Sequence, residues 1–117
     1  MSESQSPAPE PEWLSLAQAA EQLDTDVQYV RQLVREGGLL TGTVDGVRRI
    51  PSALIVDGVI SKYLRGVIIV LRDGGYSDDE VRDWLLAHDE SLGGTPAWAL
   101  HHDLHREVSR RAQAMAF

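Results

Sequence analysis

The stretch WLSLAQAAEQLDTDVQYVRQLVREGGLLTGTVDGVRRIP, residues 13–51, decides how this chain folds. Ser15-Leu16-Ala17-Gln18 has the form of a capping box, with Ser15 as N-cap. The helix it opens should bury Leu16, Ala19, Ala20 and Leu23, and Asp24 should end it. Thr25-Asp26-Val27-Gln28 reads as a second capping box, with Thr25 as N-cap. Its helix, spanning 26–36, places Val27, Val30, Leu33 and Val34 at helical spacing, and Gly37-Gly38 stops it. Leu39 to Val44 then reads as a strand, Asp45-Gly46 as a hairpin turn, and Val47 to Ile50 as the returning strand, ended by Pro51. Helix, tight turn, helix and hairpin in that order spell a winged helix-turn-helix.

Such a fold braces its second helix for the major groove of double-stranded DNA. With the apolar positions turned inward, Gln28, Tyr29, Arg31, Gln32 and Arg35 face out, and Thr25 stands at the helix entrance. Gln matches the adenine edge and Arg the guanine edge, while Tyr and Arg also reach phosphates. Arg48 and Arg49 follow the turn, where a wing meets the DNA backbone or the minor groove. The competing reading of these residues is an ordinary solvated helix face. Small Ala20 permits close approach of the two helices, and Asp24 takes the turn position usually held by Gly.

Around this module the chain divides in three: a tail at 1–12, the winged helix-turn-helix at 13–51, and a helical region at 52–117 packed on it. The fold class expected is mainly α with a small β-hairpin. The tail is rich in Ser, Pro and Glu and reads as disordered. Leu64 to Asp73 is apolar enough for a buried helix closed by Gly74-Gly75. Ser77-Asp78-Asp79-Glu80 is a capping box opening a helix to about Leu86, with Val81, Trp84 and Leu85 inward. Thr95 and Pro96 open a last helix that should run to Ala114, with Trp98, Leu100, Leu104, Val108 and Ala112 inward. Ala53 to Val56 fits one helical turn or a strand.

The net charge is −7 over 117 residues, which opposes nucleic-acid binding at first sight. The charge is unevenly placed: the tail carries −3, residues 13–50 carry −1, residues 51–75 carry +1 and residues 76–117 carry −4. The acid thus sits mainly away from the module, and the C-terminal half is not expected to touch DNA. There are no cysteines, so disulfides and thiolate metal sites are excluded. No apolar run is long enough for a bilayer and no signal peptide is expected. The expected location is cytoplasmic, with the nucleoid when bound to DNA.

His101 and His105 would lie one turn apart on a continuous helix and could chelate zinc, yet no third ligand is evident, there is no Cys, and Asp103 points to another face. They read as surface histidines. Asp78, Asp79 and Glu80 are explained by a helix N-terminus rather than by acid–base chemistry. No phosphate-cradling loop or nucleophile triad is present. No enzyme, metal or cofactor is expected.

Two resemblances add to this reading. Leu14 to Leu23, Val30 to Gly37 and Arg49-Ile50-Pro51 resemble the excisionase and MerR-like winged-helix group. Leu71-Arg-Asp-Gly-Gly-Tyr76, Trp84-Leu85, Asp89 to Leu92 and Arg106 to Phe117 resemble an actinobacterial family of small DNA-binding proteins, a winged helix-turn-helix with a helical C-terminal extension. That resemblance covers nearly all of the chain after residue 12. It implies control by a membrane Ser/Thr protein kinase, which in the family places phosphate on threonine in the N-terminal tail and weakens DNA binding. Here residues 1–12 hold no Thr, and only Ser2, Ser4 and Ser6 offer hydroxyls; Ser4 and Ser6 are the candidates.

Trp84-Leu85 followed by Ser91 to Pro96 is also similar to the toxin-binding region of some antitoxins, although a helix end and a capped restart explain it as well. The alternative function is accordingly a protein-interaction module, antitoxin-like or scaffold, built on the acidic helical half. A homodimer is an open expectation: Met115 and Phe117 would either pair with a second copy or close the monomer core.

Overall fold

The computed structural model describes residues 12–117. The expected tail, with Ser2, Ser4 and Ser6, lies outside the described residues apart from Glu12. Helix α1 is Leu16–Gln22 and starts at the expected capping box: the Gln18 amide donates to Ser15 Oγ at 3.0 Å and the Ser15 amide donates to Gln18 Oε1 at 2.8 Å. Asp24 reverses the chain with φ +57°, the left-handed conformation that Asp tolerates better than most residues. Helix α2, Val27–Arg35, is capped by Asp26, whose Oδ1 accepts from the Tyr29 amide at 2.8 Å. This corrects the expected Thr25 cap. The Thr25 amide closes the end of α1 by donating to Ala20 O at 2.9 Å, so the turn consumes Thr25 and the extended backbone a cap needs falls at Asp26.

Gly37 and Gly38 end α2 in a Schellman motif. The Gly38 amide reaches Leu33 O at 2.8 Å and the Gly37 amide reaches Val34 O at 3.2 Å, which requires the positive φ of Gly37 (+81°). Leu39 and Leu40 are buried in the core but belong to no strand. The wing is therefore shorter than expected: β2 is Gly42–Val44 and β3 is Val47–Pro51. Asp45 (φ +52°) and Gly46 (φ +80°) make the tight turn between them.

A further strand was not expected. β1, Trp13–Leu14, pairs antiparallel with β3 through Leu14–Ile50 and Trp13–Pro51, so the hairpin becomes a three-stranded sheet in the order β1-β3-β2.

The segment after β3 makes one 3₁₀ turn, Ser52–Leu54, and reaches α3 at Leu64–Asp73. Helix α4, Asp78–Leu86, carries the expected Ser77–Glu80 capping box. The last helix is broken, against expectation, into α5 (Pro96–Leu100) and α6 (His105–Ala116), with Asp103 at φ +62° between them. Trp98 is consequently exposed, while Leu100, Val108 and Ala112 are buried. Helices α3 and α6 pack closely, and the buried residues of both halves form one continuous core running from Leu14 to Ala112.

At the α3–α4 joint the Arg72 guanidinium donates to both carboxylate oxygens of Asp78, at 2.7 and 2.8 Å. This bond holds the Asp78 carboxyl below its ordinary range. The unfolded chain therefore binds that proton at higher pH than the folded one. The stabilisation is complete above the ordinary carboxylate range and is lost as pH falls through the depressed value. Asp78 is more than half exposed, so Asp78→Asn should cost under about 1 kcal/mol at neutral pH. Urea melts repeated toward acid should show the variant losing less stability than the wild type over that range.

Candidate nucleic-acid interface

The α1–α2 pair is locked by Ala19, Ala20, Val30 and Leu33, all buried. That leaves Gln28, Tyr29, Arg31, Gln32 and Arg35 exposed on α2, and Thr25 exposed in the turn before it. Successive helical residues are about 100° apart, so Gln28, Gln32 and Arg35 share the outermost face. Arg31 is turned toward one flank, beside Val34, and Tyr29 toward the other, beside Leu33. Gln32 Nε2 donates to Glu36 at 2.9 Å, so in the unbound protein its amide is partly occupied.

The wing brings Arg48 to the Arg31 flank. Arg31, Val34, Arg35, Thr41, Val47 and Arg48 surround one open depression of about 430 Å³, and Arg48 donates to Thr41 Oγ1 at 3.1 Å. Arg49 does not join them. It pairs with Gly42, and side chains alternate along a strand, so it emerges on the sheet face where Trp13 packs over Gly42. A side chain at position 42 would meet the Trp13 ring at 2.5 Å, which explains glycine there. Asp45 at the hairpin tip places negative charge at the wing's end, so the cationic part of the wing is its root.

Which cations are already committed is the most informative property of this surface. In the C-terminal half Arg72, Arg82, Arg110 and Arg111 are bound to carboxylates at 2.7–3.5 Å and Arg65 lies 3.8 Å from Glu36, while Arg106 has no carboxylate partner among the described residues. Arg31, Arg35, Arg48 and Arg49 have no carboxylate partner among the described residues. The arginines around α2 are thus left without carboxylate partners on an otherwise acidic molecule.

The histidines do not form a centre. The break between α5 and α6 takes His101 and His105 off a common helix. His101 is partly buried, and burial pushes its pKa down, with His102 adding to the effect. His105 stacks on Tyr63 with ring centres 3.7 Å apart. Among the described residues no group of three or more His, Asp or Glu is placed to hold a metal ion. No helix among them is long and apolar enough to cross a membrane. Gly93 to Pro96 forms a turn and a capped restart, with the Trp98 amide donating to Thr95 Oγ1 at 3.0 Å.

The fold and this face define a winged helix-turn-helix protein with a helical C-terminal extension. Two family models match the chain: "DNA-binding protein Rv2175c, wHTH domain" over residues 4–55 and "Rv2175c C-terminal domain of unknown function" over residues 61–116. The chain is 39% identical to "DNA-binding protein Rv2175c" of Mycobacterium tuberculosis (strain ATCC 25618 / H37Rv), over 87% of its own length and 79% of that protein's. It superposes on the NMR structure of Rv2175c with a TM-score of 0.84 at 36% identity, covering 95% of this chain and 85% of that one. The chain belongs to the Rv2175c family, which is defined by a DNA-binding winged helix-turn-helix and not by an enzymatic domain.

Proposed function

We propose that this protein is a regulator that binds double-stranded DNA, with α2 in the major groove and the β2–β3 hairpin against the neighbouring backbone. One observation carries the reading: Arg31, Arg35 and Arg48, without carboxylate partners among the described residues, surround one depression beside the exposed face of α2. Phosphates are held chiefly by such cations, and Gln28, Gln32 and Arg35 can address base edges. In this reading Thr25 contacts the backbone at the helix entrance and Arg49 contacts it from the sheet face beside Trp13. The relative from Mycobacterium tuberculosis is itself called a DNA-binding protein, which supports the same assignment.

Regulation of transcription and residence with the nucleoid follow from such binding. Phosphate added to Ser4 or Ser6 by a Ser/Thr kinase would make the protein still more acidic and would oppose it. Pairing of two copies would raise affinity by engaging two half-sites.

Titration of a fluorescent mixed-sequence duplex of about two helical turns tests the reading. Affinity should be measurable at low salt and fall steeply as salt rises. The Glu36 carboxylate accepts from Gln32 on this face, and Glu36→Gln should strengthen binding by roughly threefold at low salt, the gain shrinking as salt screens it. The same change removes negative charge from a helix C-terminus, so stability should not suffer. Absence of low-salt binding by the wild type would overturn the assignment.

A further inference from the structure

The flank of α2 opposite the wing holds a second basic cleft. It has a volume of about 360 Å³ and is lined by Tyr29, Leu33, Gly38, Ser61, Lys62 and Arg65, among others. Among the described residues no carboxylate lines it. Lys62 is the only lysine of the chain. Its ammonium has no carboxylate partner among the described residues and lies 5.3 Å from the Tyr63 ring centre. Arg65 is anchored at the end of α2, donating to Glu36 O at 3.1 Å, and its guanidinium approaches the Glu36 carboxylate only to 3.8 Å. Its side chain stays 45% exposed, with donors to spare.

We propose that this cleft is a second site for the DNA phosphate backbone, so that the duplex is gripped on both sides of α2. This rests on α2 entering the major groove. A helix seated there has a phosphate strand along each flank. Arg31 and Arg48 meet one strand; Tyr29, Lys62 and Arg65 meet the other. Lys62 supplies a compact charge, Arg65 a rigid fork and Tyr29 a hydroxyl, all of them donors suited to phosphate oxygens. The segment before α3 and its first turn thereby become part of the DNA interface, although they lie in the C-terminal half.

Two measurements on the full chain test this with the mixed-sequence duplex. First, Lys62→Gln should lower low-salt affinity roughly threefold to tenfold and reduce the slope of log affinity against log salt by about 0.9. Arg106→Gln, an equal change of net charge on α6, should leave the slope as it was. Second, with the duplex saturating, acetylation of Lys62 should slow relative to the α-amino group, read by mass spectrometry. The inference is overturned if Lys62→Gln keeps the wild-type slope, if Arg106→Gln lowers the slope equally, or if bound DNA leaves Lys62 acetylation unchanged. In each of these cases binding by the wild type, together with its loss on changing Arg35, would leave the α2 reading standing. Failure of the wild type to bind overturns both.

Discussion

A chain carrying Arg31→Ala, Arg35→Ala and Arg48→Ala together is expected to lose at least about 100-fold in affinity for duplex DNA at low salt. The three side chains converge on one depression from two elements, α2 and β3. Each neutralised phosphate contributes about 0.9 to the salt slope, so the triple change should flatten it by about 2.7. Going from 50 to 200 mM salt, that part of the slope alone accounts for roughly a 40-fold loss of affinity in the wild type. The fold should survive. Arg31 and Arg35 make no hydrogen bond among the described residues, and the Arg48–Thr41 bond is exposed, so thermal stability should move by no more than about 1 kcal/mol. Fluorescence anisotropy against salt, with a melting curve for each protein, separates the two effects. Wild-type affinity in the triple variant would remove this face from the DNA contact.

Ile68→Ala should destabilise the protein by roughly 3 kcal/mol, the second large effect. Ile68 is completely buried at the centre of α3, in the core shared by both halves. Truncating it removes its burial and leaves a cavity that packed neighbours fill only in part. Against a total stability of about 5–15 kcal/mol this is a substantial fraction, and the melting temperature should drop by roughly 10 °C. Ile69, its neighbour, is 43% exposed, and Ile69→Ala should change stability by no more than about 0.5 kcal/mol. The same chemical change one residue apart thus tests burial directly. Urea melts give both values, and an unchanged denaturant slope would show that the effect lies in the folded state. Equal melts for the two variants would mean that α3 is not seated as described. Below its melting temperature Ile68→Ala should still bind DNA, because the cations around α2 remain in place.

Much of the proposed DNA face was legible in the sequence because a helix fixes the directions of its own side chains. Once Val30 and Leu33 are inside, Gln28, Gln32 and Arg35 must be outside. The wing was less so. Arg48 and Arg49 are adjacent in sequence, and only the strand register decides which joins Arg31 and Arg35. Lys62 and Arg65 carried no signal at all. Lys62 falls between Pro51 and the start of α3, Arg65 in the first turn of α3, and their nearness to Tyr29 comes from packing across a separation of more than 30 residues.

The sequence by itself determined the helix-turn-helix, the glycine stop, the Asp45-Gly46 turn and the limits of α3 and α4. Each depends on partners within a few residues: a capping hydroxyl, a positive φ, a 3.6-residue apolar period. Only the tertiary structure decided the rest. The two residues of β1 have no period of their own and extend because β3 offers an unpaired edge at Ile50. The last helix breaks at Asp103, at φ +62°, although its sequence could continue a helix, and residues on both sides of the break are buried in the one core. On a straight rod Leu100, Val108 and Ala112 would share one face but Ala99, which is fully buried, would point away from it; the break lets Ala99 reach the core as well, at the cost of one residue in the left-handed region, about 1–2 kcal/mol.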